Sequence, residues 1–235
     1  MTPFHFSHIE GNNAFISGEE AKHCLKVMRH RVGEHVVGID GHGFMVSGLI
    51  VETGKDYVKV EIRQKVENWG EKEQKITLAV SMLHKPDRFE WLLEKSVELG
   101  VDRIAVYTGK HTVKTGVRID RMERILVAAL KQSMRSRLPE IVEAGELKRS
   151  LPKLLSEVNL IAHGPSGQTG DSWSQSLGGA SSVTLLIGPE GDFAPDELEA
   201  ALQSGFLPVS LGANRLRSET AAIHLLGIAK FLMGY

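Results

Sequence analysis

The sequence predicts an α/β protein of two domains, a small β-barrel over residues 1–70 and a mostly parallel α/β sheet over residues 71–235. Three observations carry that prediction. Up to Glu67 the apolar runs are short and punctuated by turn signals, as in a small barrel. Glu67–Lys75 (ENWGEKEQK) is polar and without periodicity, and reads as a linker. From Ile76 onward, short apolar runs alternate with helical patterns, the rhythm of strand–helix–strand units and a parallel sheet.

In the first domain, Ala21–Arg29 reads as one short helix with Leu25 and Met28 on one side. His35–Asp40, Phe44–Glu52 and Tyr57–Arg63 read as strands, joined by the turn signals Asp40-Gly41 and Thr53-Gly54-Lys55-Asp56. In the second domain Ile76–Leu83 is a strand, and His84-Lys85-Pro86-Asp87 its exit loop. Asp87 is placed to cap a helix running to Leu99, with Phe89, Leu92, Leu93, Ser96 and Val97 on its buried face. Val101–Tyr107 is the next strand. A loop with Lys110, His111 and Lys114 leads to a helix over Ile119–Ser133, apolar at Met122, Ile125, Leu126, Ala129 and Leu130. Leu147–Leu155 reads as a short helix and Val158–Ala162 as a strand, whereas Gly164–Gly179, rich in Ser and Gly, reads as a mobile surface loop.

The C-terminal stretch is the most informative. Val183–Ile187 is a continuous apolar run that ends at Gly188-Pro189, so a strand buried on both faces opens into a sharp loop. Pro195 suits the first turn of a helix, with Asp196 and Glu197 complementing its dipole and Gly205 ending it. Leu207–Leu211 makes a second buried strand that closes on Gly212, and an apolar helix runs from about Glu219 to the end. That helix is apolar on most sides and must be buried in its own core or against a partner. Two strand ends and a helix start therefore lie close in sequence, where an open α/β sheet holds its ligand.

Composition narrows the class. With 235 residues and 42% hydrophobic content the chain can bury a proper core. No stretch is long and apolar enough to span a membrane, and MTPFHFSHIEGN lacks a signal-peptide layout. Cys24 is the only cysteine, which excludes a disulfide framework within one chain and fits a reducing cytoplasm. The six histidines before residue 43 match no zinc spacing, so no metal is expected. A net charge of −1 requires any nucleic-acid binding to come from local patches. One such patch is Lys22, Lys26, Arg29 and His30 with Arg31, which helical spacing brings near one face; a solvated helix face would look the same.

The runs Gly188-Pro189-Glu190-Gly191, Leu211-Gly212 and Leu216-Arg217-Ser218-Glu219-Thr220-Ala221 resemble the cofactor loops of SPOUT methyltransferases. Together with KPDRFEWLLEKSVELGVDRI at Lys85–Ile104, nearly the whole chain resembles the bacterial 16S ribosomal RNA (uracil-N3) methyltransferase family. The resemblance implies a PUA-like front domain, a C-terminal trefoil knot, a homodimer, and methylation of N3 of a uridine in 16S rRNA of the small ribosomal subunit. It implies S-adenosylmethionine as cofactor. The adenine would bond to backbone near Leu186, Ile187, Gly188, Pro189, Glu190 and Gly191, and near Leu211, Gly212 and Ala213. Leu216 would pack on the adenosine, and Arg217, Ser218, Thr220 and Ala221 would close the bend of the cofactor.

Uridine N3 carries a proton at neutral pH, so transfer needs a base or a stabiliser of the developing anion. Arg217 is the candidate stabiliser, and Glu190 or Glu219 the candidate base or orienting acid. Ser218 and Glu219 also read as an ordinary helix start, and Glu190 as a residue that pins its loop through backbone amides. The resemblance carries over Lys85 and Lys95, the first of them as an RNA-binding candidate, and leaves Arg135 and Arg137 as RNA-binding candidates, although both arginines also suit the end of a helix. Two positions depart from the family: Met134 and Asp192 stand where it has glycine. Asp192 implies either an ordinary backbone angle or a left-handed one that Asp tolerates. Other readings remain: a SPOUT enzyme acting on a ribose 2′-hydroxyl or another base, or an rRNA-binding assembly protein without transfer activity. A phosphate-loop reading of Gly188–Gly191 is weak, because no Gly-Lys-Ser/Thr follows.

Overall fold

The computed structural model describes residues 3–113, 116, 118–163 and 171–234. Lys114 and the first part of the expected Gly164–Gly179 loop, through residue 170, lie outside the described residues. The chain forms two compact units, Met1–Glu71 with Val127–Leu138, and Lys72–Leu126 with Pro139–Tyr235. The first therefore takes in a segment far along the chain that a cut at residue 70 leaves out.

The first unit holds β1 (Phe4–His5), β2 (His8–Glu10), β3 (Asn13–Ser17), α1 (Gly18–Lys22), β4 (His35–Ile39), β5 (Phe44–Thr53) and β6 (Tyr57–Glu67). Their order is β1-β4-β5-β6-β3-β2, curled as a half-barrel. The register shifts at Ser47/Gly48 and Ile50/Glu52, and a β-bulge bends the strand that carries it. Gly48 permits the bend, since a Cβ there would lie 2.1 Å from the Glu61 carbonyl oxygen. Phe4, Phe6, Ile16, Val36, Ile50 and Val60 fill the concave side.

The helix expected over Ala21–Arg29 begins earlier, at Gly18, and after Lys22 it widens into a π turn over His23–Val27. Ala21 and Cys24 are buried by this turn, while Met28 falls beyond the buried face and is exposed. Arg29 then leaves the helix in a left-handed conformation. The segment read as a linker is in part structural. Glu71 accepts hydrogen bonds from the amides of Ser136 and Arg137 at 2.9 Å each and from the Arg135 guanidinium at 2.7 Å. Its partners lie more than sixty positions away, which is why the sequence shows only a polar run.

The second unit contains β7 (Lys75–Ser81), α2 (Pro86–Glu98), β8 (Arg103–Thr108), α3 (Ile119–Ser133, of which Val127 onward belongs to the first unit), β9 (Glu140–Glu146) and α4 (Leu147–Leu154). It continues with β10 (Val158–Ala162), α5 (Asp171–Leu177), β11 (Ser182–Ile187), α6 (Pro195–Gln203), β12 (Leu207–Val209) and α7 (Ser218–Leu232). The sheet is parallel throughout, in the order β12-β10-β11-β7-β8-β9. The helices over Ile119–Ser133 and from Pro195, and the strand Val158–Ala162, lie where the periodicity puts them.

Three local expectations need correction. Lys85, not Asp87, occupies the cap position of α2, because Pro86 takes the first helical turn. Asp171–Leu177 is helical, although the Ser- and Gly-rich composition around it reads as loop. β9 has no counterpart in the sequence reading: it is an edge strand whose Ile141-Val142 pair is flanked by Glu, Ala and Gly, too short for the apolar run of an interior strand. The last helix, α7, buries Ala222, Leu225, Leu226 and Ala229 and packs on α2 and β11 of its own unit. Phe231 stays 80% exposed on its outer side. No helix of the described residues is long and apolar enough to cross a membrane, and these residues contain no cluster of three or more metal-binding side chains.

Candidate cofactor site

The strand order makes β12, β10 and β11 neighbours with their carboxyl ends on one side. Their exit loops enclose a cavity of about 730 Å³. Ile187–Glu190 and Asp192 line it from the loop after β11, Ala162 and His163 from the end of β10, and Val209–Gly212 and Asn214–Ser218 from the segment between β12 and α7. Ala221 adds the first turn of α7. Gly212 has φ +114°, a conformation that side chains rarely adopt, so the turn after β12 depends on it. At Gly188 a Cβ would press on the Phe193 ring at 3.1 Å, and glycine lets the loop fold back there.

That loop is tied down by side chains reaching backbone amides. Glu190 Oε1 accepts a hydrogen bond from the His84 amide at 2.9 Å. Asp192 takes a left-handed φ of 63°, donates its amide to the Pro189 carbonyl at 2.9 Å, and accepts from the Phe193 amide through Oδ1 at 2.8 Å. Asp is among the few residues that tolerate this conformation, by bonding locally. The buried Glu197 bridges two loops, accepting from the Ala194 amide at 3.0 Å and the Lys110 amide at 2.8 Å. Tyr107 donates its hydroxyl to the Ile187 carbonyl at 2.7 Å. Burial pushes this phenol well above its ordinary range, with the charges of Glu197 and Asp192 adding to the effect, so it stays a donor. At the surface, hydrogen bonds from Lys110 and Lys148 hold the Asp196 carboxyl down at about 2.

The expected site residues divide clearly. Ile187, Gly188, Pro189, Glu190, Leu211, Gly212, Leu216, Arg217, Ser218 and Ala221 line the cavity. Leu186 is buried within the sheet, while Gly191, Ala213 and Thr220 are exposed and do not line it. Arg217 is exposed at the cap position of α7, and Ser218 makes no capping bond. Glu219 also lies off the cavity wall; it is buried and faces the Arg88 guanidinium of α2 at 3.7 Å. Burial and that ion pair tie it to α2 at the start of α7. The sequence reading missed Ala162, His163, Val209, Ser210, Asn214 and Arg215, and took Asp192 only as a departure from a pattern. The position directly after a buried strand was the available signal for His163, whereas Ser210 follows β12, whose Leu207 and Pro208 are exposed.

Lys22, Lys26, Arg29 and Arg31 are all exposed on the first unit, with Lys22 paired to Glu19 at 2.5 Å. Val27 and Val32 beside them are also exposed. Arg137 is exposed and donates to Asn68 at 2.7 Å. Arg135 is 6% exposed and paired with Glu71. Lys85 is exposed beside His84, whose amide Glu190 holds. Lys95 is paired with Glu94 and Glu98 on α2.

The walls of the cavity offer strand-end backbone, and the hydroxyl of Ser210 is buried without a hydrogen-bond partner among the described residues. A family model for the RNA methyltransferase domain matches residues 70–230, and one for the RNA methyltransferase PUA domain matches residues 16–63. Fold and site are those of an RNA methyltransferase. A ribosomal RNA small subunit methyltransferase E from Mesomycoplasma hyopneumoniae is 31% identical over 220 residues, covering 91% of this chain and 92% of that one. Its counterpart from Mycobacterium bovis is 28% identical, with 92% and 86% covered. The crystal structure of a ribosomal RNA small subunit methyltransferase E from Neisseria gonorrhoeae bound to S-adenosyl methionine superposes with a TM-score of 0.85, at 26% identity over 99% of this chain and 98% of that one. The chain belongs to the ribosomal RNA small subunit methyltransferase E family.

Proposed function

We propose that the protein transfers a methyl group from S-adenosylmethionine to N3 of a uridine in the 16S rRNA of the small ribosomal subunit. In this reading residues 1–70 form a PUA-like RNA-binding domain and residues 71–235 a SPOUT methyltransferase domain with a C-terminal trefoil knot, acting as a cytoplasmic homodimer. The observation that carries it is the cavity at three adjacent strand ends, with the Gly188–Glu190 and Leu216–Ser218 stretches on its walls.

When bound, S-adenosylmethionine supplies an activated methyl group on a sulfonium sulfur. The backbone of Ile187–Gly188 and Leu211–Gly212 is available to the adenine edge, Leu216 to the adenosine face, and the Ser210 hydroxyl to a polar atom of the ligand. Arg217, exposed on the rim, stabilises the negative charge that develops on the uracil carbonyls as N3 loses its proton. Glu190 is the acid–base candidate left on the cavity wall: one carboxylate oxygen is committed to the His84 amide, which fixes the direction of the other. The nucleotide is held close and in line by the basic groups that bind its phosphates, with Lys85 next to the Glu190 anchor.

The deciding experiment uses labelled S-adenosylmethionine and small ribosomal subunits lacking the modification, followed by digestion to nucleosides and mass spectrometry. Label in 3-methyluridine is the expected result. Label in a ribose-methylated nucleoside or another base would keep the family and overturn the site of transfer. Absence of both label and cofactor binding would favour an rRNA-binding assembly role.

A further inference from the structure

The charged groups on the cavity wall are not evenly spread. The loop after β11 contributes the acids Glu190 and Asp192, and the segment between β12 and α7 contributes the bases Arg215 and Arg217. β10 lies between those two strands, so His163 at its end sits between the acidic and basic sides. Glu190 has one oxygen engaged by the His84 amide. Asp192 has Oδ1 engaged by the Phe193 amide, and its Oδ2 is directed toward His163, 3.5 Å from Nδ1. A carboxylate is thus fixed at its root, held in a left-handed turn, and placed on the cavity wall beside His163.

We propose that Asp192 is a specificity-determining residue that makes the cavity favour the sulfonium form of the cofactor over its demethylated thioether product. The proposal rests on the reading of the cavity as the S-adenosylmethionine site. Cofactor and product share the adenosine, the ammonium and the carboxylate; they differ in a methyl group and one positive charge on sulfur. A fixed carboxylate on the wall of the site attracts that charge and has no such attraction for the thioether. Its effect is to favour loading before transfer and release after it. On the other side of β10, Arg215 remains available to the amino-acid carboxylate and Arg217 to the anionic nucleic acid.

Asp192→Asn tests this with little disturbance. The amide oxygen can still accept from the Phe193 amide, and Asn tolerates the left-handed conformation as well as Asp does. Calorimetric titration of the full chain with S-adenosylmethionine and, separately, S-adenosylhomocysteine reads both affinities. At an effective dielectric between that of water and of a surface site, loss of one carboxylate charge from the cavity wall predicts a roughly fivefold weaker affinity for the sulfonium and a change within about twofold for the thioether. Equal losses for both ligands would overturn the proposal, assigning Asp192 to the shared ammonium or to loop support. Unchanged affinity for both would overturn it too. If the unmutated chain binds neither ligand, the cofactor reading itself fails, an outcome distinct from the other two.

Discussion

Glu197 offers the sharpest link between stability and site. Its carboxylate is 2% exposed and holds two amides from different loops, Ala194 in front of α6 and Lys110 after β8. It also sits in the first turn of α6, where the helix dipole favours negative charge. Glu197→Ala removes two hydrogen bonds to a charged acceptor, each contributing about 1.5–3 kcal/mol, and leaves the buried Ala194 amide without its partner. Relief of the buried carboxylate returns part of that, so a net destabilisation of about 2–4 kcal/mol is expected. The loop freed on one side is the continuation of Pro189–Asp192, so cofactor affinity should fall as well. Urea unfolding followed by circular dichroism, with calorimetric titration of S-adenosylmethionine, measures both. Glu197→Gln keeps one carbonyl acceptor but turns an amide toward a second N–H, and should fall between the parent and the alanine variant. A loss below about 1 kcal/mol for the alanine variant would refute the argument, because one buried and one part-buried amide cannot lose their acceptor so cheaply unless the loops rearrange without strain.

Three further outcomes are expected. Arg217→Ala should lower methyl transfer by about 10²–10³ while cofactor affinity stays within about threefold; equal losses in both would move Arg217 from chemistry to cofactor support. Reversing charge at Lys22, Lys26 and Arg29 should weaken RNA binding and flatten its salt dependence by about two units of slope, at roughly 0.7 per phosphate contact, with Lys22 contributing least because Glu19 already engages it. An unchanged slope would take the patch off the RNA surface. Met134→Gly should stabilise the protein by about 0.5–1 kcal/mol, since a left-handed non-glycine residue costs about 1–2 kcal/mol and glycine returns part of the gain through its unfolded-state freedom. Met134 sits at φ 58° just past α3, where the amides of Met134 and Arg135 turn back to the Lys131 and Leu130 carbonyls. A thermal melt that shows a lower midpoint for Met134→Gly would mean that the half-buried thioether packs more strongly than the backbone is strained.

The sequence by itself determined the elements whose signals are local. A continuous apolar run marks β11, a proline followed by two acids marks α6, and a clean period marks α3 over Ile119–Ser133. It also carried the ordered loop motifs, because glycines and a Gly-Pro pair at strand ends are local requirements of tight turns. What it could not carry was any partnership across long separation. The sequence reads Glu219 as a charged residue near Arg217; the tertiary structure buries it against Arg88 on α2, 131 positions earlier in the chain, and leaves Glu190 on the cavity wall. Arg135 reads as a basic surface residue until Glu71 is found beside it. His163 and Ser210 carry no motif at all, and become part of the site only because parallel pairing sets β10 between β11 and β12. Strand order is fixed by which apolar faces pack together across the whole sheet, and that competition is decided by non-local burial, beyond what any window of sequence contains.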